Sequence, residues 1–156
     1  MTDHLITILA ASVGSTGFAF LFNTKKIQIL CAAISGLLVS GMYILLSSGT
    51  DSLLLNNMLC AMLVTAYAEI FARLMKAPSS VFLLPAFIPL VPGGYLYYAM
   101  YGLVTGVPDE AWQNANATML TGLGIAMGIL VVSVIVSGVD MFQKNSDDEN
   151  PEERME

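Results

Sequence analysis

The stretch P-S-S-V-F-L-L-P-A-F-I-P-L-V-P-G-G-Y-L-Y-Y, residues 78–98, decides how the chain folds. It is apolar and about as long as the roughly 20 residues that a helix needs to cross a bilayer. Three prolines and a Gly-Gly pair interrupt it: Pro85, Pro89, Pro92, Gly93 and Gly94. A proline inside a helix removes a backbone donor and clashes with the carbonyl four residues earlier. Hydrocarbon cannot satisfy the freed groups, so such a break must be buried in protein or line a wet cavity. The stretch therefore predicts a substrate path rather than a simple anchor.

Composition places the chain among membrane proteins. Hydrophobic residues make up 56% of it and charged residues 12%, and such a chain cannot cover a soluble globule with polar surface. The net charge of -6 does not indicate a cationic partner, because six of the acidic residues fall within the last ten positions. This acidic tail, residues 142–156, is expected to be a disordered cytoplasmic end.

Five charge-poor runs are close to the length that a bilayer demands. They are approximately residues 5–22, 27–46, 53–71, 81–104 and 117–139. The pattern predicts an all-α polytopic membrane protein. Its five transmembrane helices would form one membrane domain, residues 1–141, with a fourth helix broken by its prolines and glycines. The N-terminus lacks the basic region of a cleaved signal peptide, so the first run is expected to remain as a span.

The charges of the loops orient these spans. With the N-terminus outside, every basic residue lies on the cytoplasmic side and the outer loops hold none, as the positive-inside rule requires. The basic residues are Lys25, Lys26, Arg73, Lys76, Lys144 and Arg154. Merging or removing a span would move some of them outside. Hydropathy and charge therefore independently predict an outer N-terminus and a cytoplasmic C-terminus.

Counting along the fourth run puts its break near the bilayer midplane. From Val81, at about 1.5 Å per residue, Pro89 to Gly94 lie about 12 to 20 Å into a core about 30 Å thick. Transporters place discontinuous helices at this depth, where the N-terminus of a half-helix offers free amides and a positive dipole to an anionic group. Gly93 and Gly94 would open such a half-helix, and Tyr95, Tyr97 and Tyr98 would supply hydroxyls close by. The alternative is a proline-kinked helix that neighbouring helices satisfy, without a ligand.

Glu69 is the only acidic residue within a predicted span, four residues before Arg73. On a helix the two share a face, so an ion pair near the cytoplasmic surface is one interpretation. A proton-coupling or substrate site is the other, because ionisable groups at membrane depth are functional candidates. Asn23 after the first span, and Asn56 and Asn57 at the start of the third, are further polar candidates, although helix-end roles suit all three.

Small residues recur within the spans. Gly36 with Gly41, and Gly124 with Gly128, have nearly the spacing that lets helix backbones approach closely. We expect these glycines to pack the helices into a bundle.

Enzymatic and cofactor chemistry find little support in the sequence. The one histidine, His4, lies at the outer N-terminus, so no Ser-His or Cys-His pair can form within the membrane. Cys31 and Cys60 have neither C-x-x-C spacing nor histidines around them, which favours neither a metal site nor a disulfide framework. A phosphate-binding glycine loop and a basic patch for nucleic acid are also missing. We expect a protein that is not an enzyme and has no cofactor.

Two sequence motifs resemble the threonine/serine exporter family, specifically its smaller membrane-only half. The first is G-F-A-F-L-F-N at residues 17–23, and the second is A-P-S-S-V-F-L-L-P-A-F-I-P-L-V-P-G-G-Y-L-Y-Y-A-M at residues 77–100. The most specific element is I-P-x-x-P-G, residues 88–93. The resemblance runs from about Gly14 to Val136. The chain departs from the family after residue 23, where it reads T-K-K and relatives often have a proline.

The resemblance implies a membrane exporter. Family members export small hydroxy amino acids such as threonine and serine, and some two-subunit relatives are associated with export of dicarboxylates such as succinate. The proton gradient is the expected driving force. In the fused form a larger half precedes one like this, so the chain would be the small subunit of a split exporter in the plasma membrane of a prokaryote. Its expected partners are a larger subunit, the solute, protons and membrane lipid, but not nucleic acid.

The sequence thus singles out two sets of site residues. Candidates for substrate binding are Pro89, Pro92, Gly93, Gly94, Tyr97 and Asn23, and candidates for proton coupling are Glu69 and Arg73. Glu69 could also pair with the ammonium group of an amino acid. If the larger subunit has five spans of opposite orientation, the break at residues 89–94 is expected to face it. The competing hypothesis is a structural subunit that assembles a larger membrane complex without transporting a solute.

Overall fold

The computed structural model describes the backbone of residues 2–149 and the side chains of residues 4–141. All regular structure in this part of the chain is helical. The helices are α1 (Thr2–Leu21), α2 (Lys26–Ser47), α3 (Leu53–Met75), α4 (Ser80–Phe87), α5 (Gly93–Thr105) and α6 (Pro108–Glu149), and a 3-10 turn (Ile88–Leu90) joins α4 to α5.

Four of these helices, namely α1, α2, α3 and α6, are each long and apolar enough to cross a membrane. The segment from α4 to α5 passes the same test as a pair and is bent by 51° at its break, which raises the number of spans to as many as 5. The predicted fold class, an all-α polytopic membrane protein with a broken fourth helix, is confirmed. The side of the membrane on which each end lies stays a prediction.

Helices α3 and α6 run parallel and touch through glycines. A Cβ atom placed on Gly124 would lie 2.6 Å from the carbonyl oxygen of Leu54, and one placed on Gly128 would lie 2.5 Å from that of Met58. The contact advances in the same direction along both helices. The segment between them must therefore carry the chain back to the end of the bundle at which α3 starts. Close helix packing through these two glycines was expected from their spacing.

A further glycine joins α1 to α2. A Cβ atom on Gly36 would lie 2.8 Å from Ser15 Oγ and 2.9 Å from Ser12 Cα, so only glycine fits at this crossing. Gly41 has no such neighbour within 4 Å, so the glycine spacing identified one contact residue of this pair and not the other.

Helix α4 packs between α2 and α3. Its Ala86, followed by Leu90 of the 3-10 turn, packs with Val39, Cys60 and Val64, and Phe82 packs with a second cluster nearer the start of α4. Because the side chains from α2 and α3 at this contact are mostly small, the three helices approach closely. This packing fixes the position of the proline break that follows α4.

The turns α1–α2 and α3–α4 meet at one end of the bundle. Lys25, Lys26 and Lys76 from these turns line one cavity of about 500 Å³. Asn23 and Lys76 adopt left-handed backbone conformations with φ of 51° and 48°, which end α1 and α3. These lysines share one end of the bundle, as the loop charges predicted.

Helix α6 is longer than the predicted fifth span. It begins at Pro108 instead of residue 117, with Asp109 and Glu110 in its first turn. Proline in the first turn and acidic residues beside the positive end of the dipole favour this start. The helix also continues to Glu149, into the segment predicted as the acidic tail. Residues 150–156 lie outside the described part of the chain, and disorder of the tail stays a prediction.

Candidate functional site

The prolines set the geometry of the break between α4 and α5. The 3-10 turn carries Pro89, Val91 is extended with φ of -62° and ψ of 125°, and Pro92 immediately precedes α5. Neither proline can donate the amide hydrogen bond that a continuous helix would need. The chain compensates locally, because the amide of Val91 donates to Ile88 O at 3.3 Å and that of Gly93 donates to Val91 O at 2.7 Å.

This break forms one wall of a small cavity of about 160 Å³. The cavity is lined by Tyr43, Asn57, Pro89, Leu90, Val91, Pro92, Tyr95 and Thr121. It is far larger than the about 10–15 Å³ that one water needs and smaller than the pockets that hold drug-sized ligands. A metabolite of a few heavy atoms matches this size.

Each of four helices contributes one polar side chain to the cavity. They are Tyr43 from α2, Asn57 from α3, Tyr95 from α5 and Thr121 from α6. None of the described residues that line it is charged. Asn57 is 3% exposed and its Nδ2 donates to Leu53 O at 2.7 Å, which leaves its side-chain oxygen as an acceptor. Thr121 is also 3% exposed, and its hydroxyl has no partner within the described residues.

A comparison with known protein families identifies the family of this chain. The family model described as Threonine/Serine exporter, ThrE, matches residues 7–135, which run from α1 through most of α6. The chain belongs to the threonine/serine exporter family. No solved structure matches it. The family is one of transporters and not of enzymes, so the chain is a multi-pass protein of a membrane-exporter family.

In this exporter the predicted substrate residues divide between two ends of the bundle. Pro89 and Pro92 line the cavity. Gly93 and Gly94 begin α5 beside it and are exposed, and a Cβ atom on either would meet nothing within 4 Å. Asn23 ends α1 at the lysine-rich end, whereas Tyr43 of the cavity lies at the opposite end of α2. The structure therefore does not bring Asn23 to the site.

Tyr97 does not reach the cavity either. It is 63% exposed and packs with its own helix, its ring centroid lying 6.2 Å from that of Tyr101 and 5.3 Å from that of Tyr98. On α5 it is Tyr95 that lines the cavity. Positions 95 and 97 lie about 200° apart around a helix, so only one of them can face a given wall.

The exporter's cavity lies near the ends of α2 and α3 and not at their centres. Tyr43 precedes the end of α2 by four residues, and Asn57 follows the start of α3 by four. The depth of the break in the bilayer, which the sequence places near the midplane, stays a prediction. Gly124 packs beside Leu54, while Gly102 packs beside Ala111. The hairpin of α5 and α6 therefore extends about 20 Å past the start of α3, at 1.5 Å per residue.

Arg73 pairs with a different acidic residue from the one that the sequence suggested. Arg73 Nη2 contacts Asp140 Oδ1 on α6 at 2.6 Å, and Glu69 forms no ion pair within the described residues. The interpretation of Glu69 and Arg73 as a helical pair is therefore wrong. Glu69 lies three turns along α3 from Asn57, about 18 Å away, so it cannot neutralise an ammonium group inside the cavity.

Two residues of the site escaped the sequence-based prediction. Tyr43 is the only aromatic residue in α2, and Thr121 opens the glycine-rich stretch T-G-L-G of α6. An isolated polar group in an otherwise apolar or small-residue span was the available signal. Asn57 carried that signal too, but its place near the start of a helix favoured an end role.

Proposed function

We propose that this exporter-family member is the small membrane subunit of a secondary exporter for carboxylate-bearing metabolites, with threonine and serine, or a dicarboxylate such as succinate, as its solutes. The observation that carries the proposal is the cavity at the proline break, into which four helices each contribute a polar side chain. Polar side chains brought together from four helices of an otherwise apolar bundle have no packing advantage, because unpaired polar groups are costly in an apolar environment.

The start of α5 is the proposed site for the solute's carboxylate. The amides of Gly93 and Leu96 donate to Val91 O and Pro92 O, whereas those of Gly94 and Tyr95 lie in the first helical turn without an intrahelical acceptor. These amides and the positive end of the helix dipole stabilise an anionic group. Since neither glycine has a side chain, a carboxylate can approach the backbone closely.

A larger partner subunit is proposed to complete the site. An amino acid brings an ammonium group and a dicarboxylate brings a second anionic group, but the lining residues of this chain carry no charge. Gly94, Tyr98 and Tyr101 lie on one face of α5, and all three are exposed. We place the partner against this face, with its spans in the opposite orientation. A cysteine replacing Gly94 would then cross-link to the partner, whereas labelling by lipid-phase probes alone would contradict the arrangement.

The proposed driving force is the proton gradient, and the proposed location is the plasma membrane of a prokaryote. Glu69 is the candidate for proton coupling, since Arg73 is already paired with Asp140. It would act at a distance from the solute, because three turns of α3 separate it from the cavity.

Efflux measurements test the proposed function. Cells of the native host are loaded with labelled threonine, serine or succinate, and efflux is compared between the parent strain, a strain lacking this chain and the complemented strain. We expect slower efflux of at least one solute without the chain and recovery on complementation. Unchanged efflux of all three would contradict the proposal. If the chain is only a structural subunit, export would fail solely because the partner is lost from the membrane, which immunoblotting of the partner detects.

A further inference from the structure

The hydroxyl group of Thr121 lacks the hydrogen bond that four other helical threonines make within their own helix. Thr16, Thr65, Thr105 and Thr118 each donate to the carbonyl four residues earlier, at 2.7 to 2.9 Å. This bond satisfies a hydroxyl within an apolar bundle without any other partner. Thr121 lies in the same kind of helix, yet its hydroxyl bonds to no described group. Burying a hydroxyl this deeply is costly unless a hydrogen-bond partner lies beside it.

Thr121 lies in the wall of the cavity at the proline break. Thr121 lines it together with Asn57, and each side chain is 3% exposed. The Nδ2 group of Asn57 is already used by Leu53 O, so the pair offers one hydroxyl, which can donate, and one amide oxygen, which can only accept. Tyr43 and Tyr95 line the same cavity.

A solute hydroxyl matches this pair better than the charged ends of a metabolite do. A hydroxyl can donate to the Asn57 oxygen while accepting from Thr121. A carboxylate only accepts, so it would oppose the Asn57 oxygen. An ammonium group only donates and would leave the Thr121 hydroxyl proton unused, with no described acidic residue in the lining to balance its charge.

We infer that Thr121 and Asn57 form the subsite that recognises the side-chain hydroxyl of the exported solute. The inference rests on the proposed exporter function and narrows it, since succinate has no hydroxyl and threonine and serine do. A site that hydrogen-bonds a substrate hydroxyl rejects the analogue that lacks it, because the site's own polar groups are then left unpaired.

The test compares threonine with 2-aminobutyrate, which has the same carbon skeleton without the hydroxyl. Initial efflux rates of the two labelled solutes, at equal internal concentration, are measured in the native host with this chain replaced by each variant. The rate attributable to the chain is obtained by subtracting the strain that lacks it. The ratio of the two rates is independent of how much protein reaches the membrane.

Three variants and the wild type carry the test. Thr121→Val keeps the shape and removes the hydroxyl, Thr121→Ser keeps a hydroxyl, and Thr118→Val removes a hydroxyl that already bonds to Asn114 O on the same helix. We expect wild type to prefer threonine and Thr121→Val to lower that preference about tenfold, the effect of one hydrogen bond to a buried group. Thr121→Ser and Thr118→Val should keep the wild-type preference.

The possible failures are distinguishable. If wild type exports threonine and Thr121→Val retains the full preference for it, the hydroxyl subsite is overturned while the exporter function stands. An equal loss of preference in Thr118→Val also overturns it, since that residue is outside the cavity. If wild type exports neither solute, the proposed function for amino acids fails and the subsite with it. Should Thr121→Val not accumulate, Thr121→Ala gives the same comparison without the added methyl group.

Discussion

Arg73 Nη2 lies 2.6 Å from Asp140 Oδ1 and joins α3 to α6 at the end of the bundle where the lysine-rich turns lie. The same two helices touch near their other end through Gly124 and Gly128. The glycine contacts and the ion pair therefore belong to one interface, along which the two helices run in the same direction. The side chains of the pair are 49% and 57% exposed, so its contribution is that of a surface ion pair.

Asp140→Asn should lower the free energy of unfolding by about 0.2–1 kcal/mol at low ionic strength and by less at high salt. The loss is small because both charges are half-exposed and screened. Thermal unfolding of the purified protein in detergent, at two salt concentrations, measures it. Glu69→Gln is the matched control, since Arg73 contacts Asp140. A salt-dependent loss in Glu69→Gln equal to that in Asp140→Asn would contradict the pairing.

Gly128→Ala should destabilise the bundle by about 1–3 kcal/mol, the usual cost of overpacking a tight contact. The new methyl group would lie 2.5 Å from Met58 O and 2.7 Å from Ala61 Cβ, so α3 and α6 must separate. Gly122→Ala is the control on the same helix, because its methyl group would meet nothing within 4 Å. That control should be neutral or stabilise the helix by up to about 1 kcal/mol. Unfolding in detergent measures both, and equal stability of the two variants would argue against the contact.

The predicted orientation can be tested by cysteine labelling in intact cells. Ser48 lies between α2 and α3, and Ser80 begins α4 at the lysine-rich end; both are exposed. A membrane-impermeant maleimide should label Ser48→Cys from outside and Ser80→Cys only after permeabilisation. The native Cys31 and Cys60 are buried and should react slowly. The reverse pattern would invert the topology.

Much of the fold follows from the sequence because hydropathy and loop charge act over whole segments. Apolar runs of bilayer length predicted α1, α2 and α3, and the prolines predicted a break where the structure has one. The start of α6 was missed, although Pro108 and two acidic residues mark a helix N-terminus. Their polarity made that stretch resemble a loop, since a span was expected to start with apolar residues.

The site was less predictable because it depends on which residues meet. Pro89 and Pro92 were found from their effect on their own backbone, which is a local property. Thr121 reaches them only because Gly124 and Gly128 allow α6 to approach α3, and Asp140 meets Arg73 for the same reason. Neither contact can be recognised from the residues that are adjacent to it in the sequence. The sequence instead favoured Glu69 as the partner of Arg73, because opposite charges four residues apart share one face of a helix.

Glu69→Gln should weaken the dependence of export on the proton gradient, because it removes the only acidic residue within the first three spans. The measurement is efflux from loaded vesicles with and without an imposed pH gradient. We expect the gradient to accelerate export severalfold in the wild type and less in the variant. Asp140→Asn, which removes an acid already paired with Arg73, should keep the full response. An unchanged response in Glu69→Gln would remove this residue from the mechanism.

Asn57→Leu should reduce export about tenfold or more while leaving the amount of protein in the membrane unchanged. Leucine has the same number and branching of side-chain heavy atoms as asparagine, but it removes the amide oxygen that we assign to the solute and places methyl groups at the cavity wall. The lost bond from Asn57 Nδ2 to Leu53 O costs little, because that carbonyl also accepts within the helix.

Asn114→Leu is the matched control. Its Nδ2 makes the same bond four residues back, to Glu110 O at 2.8 Å, and lies outside the cavity. Efflux normalised to membrane protein separates the two variants. Export retained in Asn57→Leu, or lost equally in both, would show that the cavity at the proline break is not on the solute's path.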